Sequence, residues 1–325
     1  MDRLERLADQ GDLDELLREV DRLVERRAWD DLARLRRLSR AALDRGHQLW
    51  PVASHVEHRL ALEAPGRWAA AVLVPSAGHL GVGPVSEVAA STHTWTELAP
   101  HAPPTPVAAL AAHERVVRGE PVDAASVAVP VLDLPLCPCP WEPRYPVATY
   151  GPHAVEAPRP ALPDMHRVPL PLPSTAPSRG PGAAEALLDV VRGWTTGSNG
   201  RADAVGIEGG AAEAAAALGA PALRLGALAP AEALALLAWA AASGGAHGRR
   251  RGGARGRFDA WWAAAALTGL DDDWPPDTDE LGEAIDELRW WWWDAAEPDT
   301  GWTLRIAVED PVDGLAWALT AVDTA

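Results

Sequence analysis

Lysine is absent from this chain, and all 29 basic side chains other than histidine are arginine. A phosphate-loop nucleotide enzyme needs a lysine on its phosphates. A pyridoxal phosphate enzyme needs one for its Schiff base, and a eukaryotic-type kinase needs one on a strand. None of these is available in standard form, so no cofactor is expected: no pyridoxal phosphate and no P-loop nucleotide. Other residue types are nearly missing. There is one asparagine, Asn199, one phenylalanine, two tyrosines and three isoleucines, against sixteen tryptophans. All these choices favour GC-rich codons. A high-GC bacterial genome therefore accounts for the tryptophan excess before any role does.

Cysteine is scarce too. Cys137 and Cys139 stand two apart in a CPC run. Such a pair rarely bridges and makes no disulfide framework. It has no second pair to complete a zinc site, and only His153 or His166 could join it, so no metal is expected. The start, MDRLERLADQGDLDELLREV, is charged and amphipathic and lacks the apolar core of a signal peptide. The longest apolar run, around residues 231–242, is too short to span a bilayer. These features lead us to expect a reduced, cytoplasmic protein with no membrane partner.

Positive charge is what the C-terminal part lacks. The formal net charge is −17, and residues 258–325 hold 17 acidic residues against 2 arginines. Such a surface repels a phosphate backbone, so general nucleic-acid binding is not expected.

A chain of 325 residues suits two domains. Leu13, Leu16, Leu17, Val20, Leu23 and Val24 recur at three- and four-residue spacing, the stripe of a buried helix face. Asp12 and Glu15 resemble a capping box at its start. A second stripe runs from Trp29 to Ala42 and ends at Gly46, and Pro51 suits the first turn of a third helix. Further helices are expected over residues 84–90 and 104–119. Short helices joined by brief turns predict a repeat-like helical scaffold over residues 1–120, although no strict period is present. Prolines crowd residues 121–182, which cannot form a continuous helix and read as a connector or a covered loop.

Residues 183–325 change texture. Residues 202–207 and 221–228 fit strands, each followed by a helix, which is the alternation of an α/β layer. Helices are expected over residues 258–268 and 281–288. LRWWWWDA and WTLRIAVED, flanking EPDTG, predict a Trp-rich β-hairpin. Residues 315–322 read as a closing helix. The expected fold class is α+β: a helical scaffold plus a C-terminal α/β domain.

The segment SGGAHGRRRGGARGRFDAWW carries the strongest local signal. Five arginines and six glycines fall within residues 244–257. Glycine lets backbone N–H groups approach a ligand, and arginine offers paired donors for phosphate or carboxylate. His247, Arg249, Arg250, Arg251, Arg255 and Arg257 form the candidate anion site. Two plainer readings compete: neutralisation of the acidic tail, or close helix packing through glycines spaced by four. A helix interior loses about 1 kcal/mol per glycine relative to alanine, so a loop leading into the helix at 258 is expected.

Weaker features follow. In a strand, Trp290 and Trp292 would cover one face and Trp291 and Trp293 the other, which reads as core. Exposed, they could stack on sugar rings. His55 and His58 share a helix face but read as a solvated pair. Asp271, Asp273, Asp277 and Asp279 lack the glycine and terminal glutamate of a calcium loop. Neither GxSxG nor HExxH occurs. Asn199, Glu208, Glu309 and Asp310, polar residues at element ends, are the secondary candidates, and no catalytic residue can be assigned.

SGGAHGRRRGGARGRFDAWW, together with GWTLRIAVEDPVDGLAWAL, resembles an uncharacterised family of actinobacterial proteins of similar length, most specifically over residues 190–325. That resemblance implies a bacterial, actinobacterial source and assigns no activity, ligand or residue role. The function read from the sequence is unknown. A non-catalytic binding or scaffold protein, meeting another protein through its helical domain, fits best. The alternatives are an enzyme or sensor binding a small anion, such as a nucleotide or phosphorylated metabolite, at residues 244–257, and carbohydrate binding through Trp faces.

Overall fold

A computed structural model of the chain describes residues 3–43, 45–75, 82–172, 181–296 and 301–324. The chain divides into two compact units. One takes the chain up to Val131 together with Ala148–Ala157, and the other takes Leu132–Val147 and the chain from Pro158 on. The proline-rich stretch is thus shared between them rather than standing apart.

The first unit is helical. Its helices are α1 (Arg3–Gln10), α2 (Leu13–Glu25), α3 (Trp29–Leu43), α4 (Trp50–Glu63), α5 (Gly66–Ala71), α6 (Val85–Thr92), α7 (Trp95–Leu98) and α8 (Pro106–Val117). Local signals set their ends. Asp12 caps α2 by accepting the Glu15 N–H at 3.0 Å. Thr105 caps α8, accepting the Ala108 N–H at 3.2 Å, and Pro106 follows where no N–H is needed. The central helix is α4, buried from Val52 to Leu62 except at His55. A minimal hairpin of β1 (Thr149–Tyr150) and β2 (Val155–Glu156) belongs to the same unit.

The second unit holds β3 (His166–Val168), α9 (Pro181–Val190), α10 (Arg192–Gly197), β4 (Arg201–Glu208), α11 (Ala211–Ala217), β5 (Leu223–Leu228) and α12 (Pro230–Ala242). After these come α13 (Gly253–Thr268), α14 (Thr278–Glu287), β6 (Arg289–Asp294), β7 (Trp302–Asp310) and β8 (Leu315–Asp323). Six strands form one sheet in the order β3-β5-β6-β7-β8-β4. Every neighbouring pair is antiparallel. The fold class is therefore α+β. The strand–helix alternation of β4, α11 and β5 does not build a parallel layer, because three strands separate β4 from β5. Residues 315–322 form a strand, not the expected helix. As β8 they pair with both β4 and β7 along their whole length, and a central strand is apolar on both faces, which periodicity alone reads as a helix. The turn expected between β6 and β7 lies, except for Gly301, outside the described residues.

Both sheet faces are covered. Trp290 and Trp292 lie in the larger core with α9, α12, α13 and α14, while Trp293 lies in a smaller core with α11, where Trp291 packs half-buried. Each buried tryptophan removes about 150–250 Å² from water, worth about 4–6 kcal/mol before entropy costs. That leaves no exposed Trp290–292–293 platform for a sugar. No helix among the described residues is long and apolar enough to cross a membrane.

Against the expected start at residue 258, α13 begins at Gly253. It can do so because it lies against α12. A Cβ on Gly256 would strike the Ala238 carbonyl oxygen and reach Ala242 Cβ at 2.9 Å. In an open helix interior, Gly→Ala stabilises by about 1 kcal/mol. Here the sign reverses: Gly256→Ala is expected to destabilise by about 1–3 kcal/mol, the usual range for overpacking. Urea denaturation measures this, and an unchanged or raised midpoint would show that α12 and α13 do not meet at this point.

Candidate functional site

The arginine–glycine run splits into three parts. Residues 244–252 form a loop between α12 and α13. Its fold is compact because its glycines touch. A Cβ on Gly244 would collide with the Arg249 backbone, one on Gly248 with the Gly244 carbonyl, and one on Gly245 with Asp323. Gly245 and Gly252 also take φ of +77° and +99°, open to glycine at little cost. Hydrogen bonds pin the loop at three places. Asp323, at the end of β8, accepts the Ala246 N–H at 2.6 Å. Ser198 accepts the His247 N–H at 2.9 Å. The Arg251 N–H donates to Ala242 O at 2.7 Å.

The loop faces α10. Gly193 lies against the Arg251 side chain, and a Cβ there would approach Cδ at 3.2 Å. Between the two segments lies a cavity of about 410 Å³, lined by Arg192, Gly193, Thr196, Gly197, His247, Gly248, Arg249 and Arg251. No acidic side chain lines it. Arg249 is exposed and has no ion-pair partner among the described residues. Arg192 pairs with Asp189 on the same surface. Arg251 Nη1 sits 2.8 Å from Asp259 Oδ2, yet that oxygen has no aligned hydrogen bond. The same Nη1 also donates to Ala241 O at 3.4 Å. Burial raises the pKa of Asp259, and Arg251 and Arg255 oppose that shift.

The other predicted arginines stand outside the cavity. Arg250 is half-buried. Arg255 lies 3.7 Å from Asp259 and over the Phe258 ring. Arg257 is 1% exposed and cannot meet a ligand. Its Nε and Nη2 donate to Glu142 at 2.6 and 2.9 Å, and Nη1 donates to Pro135 O at 2.8 Å. Glu142 also accepts Trp261 Nε1–H at 2.6 Å and the Tyr145 hydroxyl at 2.8 Å. Burial alone would lower the Arg257 pKa, but hydrogen bonding to Glu142 and its charge outweigh that and raise it. Burial, then the Glu142 charge, holds Tyr145 well above its usual range. Arg251 and Arg255 thus face Asp259, and Arg257 faces Glu142.

The secondary candidates do not form one site. Glu208, Glu309 and Asp310 gather at one end of the sheet, since β8 residue Leu315 pairs with both Glu208 and Asp310. Glu309 accepts the Ala211 N–H at the start of α11 and pairs with Arg289 at 3.2 Å. Asp310 accepts the Val312 and Asp313 N–H groups of its own turn. Asn199 is exposed beyond the other end of β4. Cys137 is exposed and Cys139 buried. Burial first, then Glu142, pushes the Cys139 thiol up to about 11, so it is not a ready thiolate. Among the described residues no three His, Cys, Asp or Glu side chains could hold a metal ion.

Arg192 and Thr196 are the cavity residues that sequence reading passed over. They lie more than fifty positions from the arginine run, inside a helical pattern that carries no ligand signature.

Fold and cavity together define an α+β protein with an arginine-lined surface cavity on its sheet-bearing unit. The model of a family of unknown function (DUF6183) matches residues 14–325, and the chain belongs to that family. No curated protein and no solved structure matches it.

The division of the arginines is testable. Arg257→Ala strands the buried Glu142 carboxylate and is expected to cost about 3–5 kcal/mol. Arg249→Ala, at an exposed site, should stay within about 0.5 kcal/mol. Similar urea midpoints for the two variants would contradict this assignment.

Proposed function

We propose that this protein is a non-catalytic binding protein for a small anion, a nucleotide or phosphorylated metabolite, taken up at the cavity between α10 and the 244–252 loop. The observation that carries this reading is the convergence of Arg192, Arg249 and Arg251, with His247 and Thr196, on one cavity of about 410 Å³ with no acidic lining. In a chain of net charge −17, Arg249 adds an exposed positive charge with no ion-pair partner among the described residues, beside two guanidiniums paired with Asp189 and Asp259. Guanidinium groups give phosphate paired hydrogen bonds as well as charge. The volume falls within the usual range for small-molecule sites. Glycines at 193 and 248 let the loop pack closely, which sets the wall of the cavity.

The test is a thermal-shift titration of the full chain with inorganic phosphate, AMP, ATP and a sugar phosphate at low salt. A ligand at one hundred times its Kd should stabilise the protein by about 2.7 kcal/mol. The shift should shrink at high salt, because exposed charges are screened. Arg192→Ala combined with Arg249→Ala should abolish the shift while circular dichroism stays unchanged. The reading fails if no anion stabilises the unmodified protein, or if the double variant responds as strongly as the parent.

A further inference from the structure

A second cleft lies wholly within the helical unit. Pro51, Ser54, His55 and His58 fall at i, i+3, i+4 and i+7 of α4, one face of a helix. Leu17 and Asp21 form an i, i+4 pair on α2. With Val82, and with Pro152 and His153 from the turn between β1 and β2, these side chains enclose about 280 Å³. HVEH reads in sequence as a solvated pair. Instead, His58 is buried and His55 half-buried, and His153 comes from almost a hundred residues away to join them.

The chemistry of the lining is specific. The His55 and His153 rings stack, with centroids 5.2 Å apart and planes 13° from parallel. His58 Nε2 lies 2.8 Å from Gly151 O. A carbonyl only accepts, so Nε2 carries the proton and Nδ1 is left as an acceptor. That Nδ1 is buried and has no partner among the described residues, in a residue 5% exposed. Tyr150 meets the His58 ring edge-on, and its hydroxyl donates to buried Glu87 at 2.6 Å, which fixes the hairpin carrying His153. Ser54 Oγ has no hydrogen-bond partner among the described residues.

Charge is nearly balanced here. Burial, followed by the Arg59 guanidinium, holds His55 down at about 4. Burial also lowers His58, against the opposing hydrogen bond to Gly151. Both rings are uncharged near neutral pH. Arg59 pairs with Asp21 and Glu63, so its charge is already met. Among the described residues, no unpaired arginine lines this cleft. A metal ion finds no converging ligand triad among the described residues. What remains is a flat aromatic surface, apolar walls from Leu17, Pro51, Val82 and Pro152, and imidazole edges, of which His58 offers its Nδ1 acceptor because its Nε2–H is already given to Gly151 O.

We propose that this cleft binds a small, uncharged, planar nitrogen heterocycle of nucleobase size, stacked on the His55–His153 pair and bonded at its edge by imidazole and hydroxyl groups. Stacking recognises any π face, and the alternating donors and acceptors of a heterocycle edge match those of neutral imidazoles. A volume of about 280 Å³ admits one or two fused rings and little more. This site is independent of the anion cavity, which lies on the other unit.

Isothermal titration of the full chain at pH 7.5 with adenine, cytosine and uracil tests the proposal, with glucose, zinc chloride and inorganic phosphate as comparison arms. At least one base should bind saturably at one site. His153→Ala and His55→Ala should each weaken it at least tenfold, and Ser54→Ala a few-fold. His153 is exposed, so its variant keeps the fold, which circular dichroism verifies. Arg192→Ala with Arg249→Ala should leave base binding unchanged. The proposal is overturned if no base binds, if binding survives both histidine substitutions, or if only glucose or zinc gives the heat that those substitutions remove.

Discussion

Glu142 carries a negative charge to a place where only 1% of its side chain meets water. Removing a carboxylate from water costs several kcal/mol unless partners replace the lost hydration. Four groups do so: the Arg257 guanidinium, Trp261 Nε1–H, the Tyr145 hydroxyl and the Cys139 N–H, the last at 2.8 Å. Two partners come from α13 and the others from Glu142's own strap, Leu132–Val147. Neither side can be removed without stranding a charge in the other. The strap is further tied by Trp141, which donates to Thr278 O at 2.8 Å and packs on Trp261 at 4.8 Å. Gly282 makes room for that indole, since a Cβ there would strike its Cδ1. A run of prolines that looks like a linker is in this way fixed to the sheet-bearing unit.

That constraint sorts the arginines. Once Arg257 faces the strap, α13 is held in rotation, and Gly256 is turned toward α12, where only a glycine fits. Residues 251 and 255 then fall near Asp259, which is itself buried. Residues 247–249 are left to the loop. The same basic run thus serves an interior ion pair, a charge cluster around the buried Asp259 and a cavity wall. Charge density alone could not separate those three uses. Helical phase does.

Much of the architecture was legible because its causes are local. The stripe from Leu13 to Val24, the Asp12 cap and the proline start of α4 each act within a few residues, and the corresponding helices stand where the pattern places them. The tryptophan quartet was legible for a related reason. Alternation sends adjacent indoles to opposite faces, and only a central strand buries both. What stayed hidden depends on distant partners. β8 reads as a helix until β4 and β7 are placed on either side of it. The α/β texture of residues 202–243 says nothing of the three strands that come to lie between β4 and β5. Arg192 joins the cavity only because Gly193 lets the loop approach α10. His153 joins His55 only because Tyr150 anchors its hairpin to Glu87.

The two clefts differ in a way that follows from how each is built. The 244–252 loop has backbone crowded by glycine contacts, and its arginine side chains are left at the surface with partial partners. On the function proposed above, selectivity at such a site rests on charge and hydrogen-bond count. The α2–α4 cleft is the opposite case. Its polar groups stand on a helix already buried on nearly every side, where desolvation strips charge from the imidazoles and leaves shape and hydrogen-bond direction to discriminate.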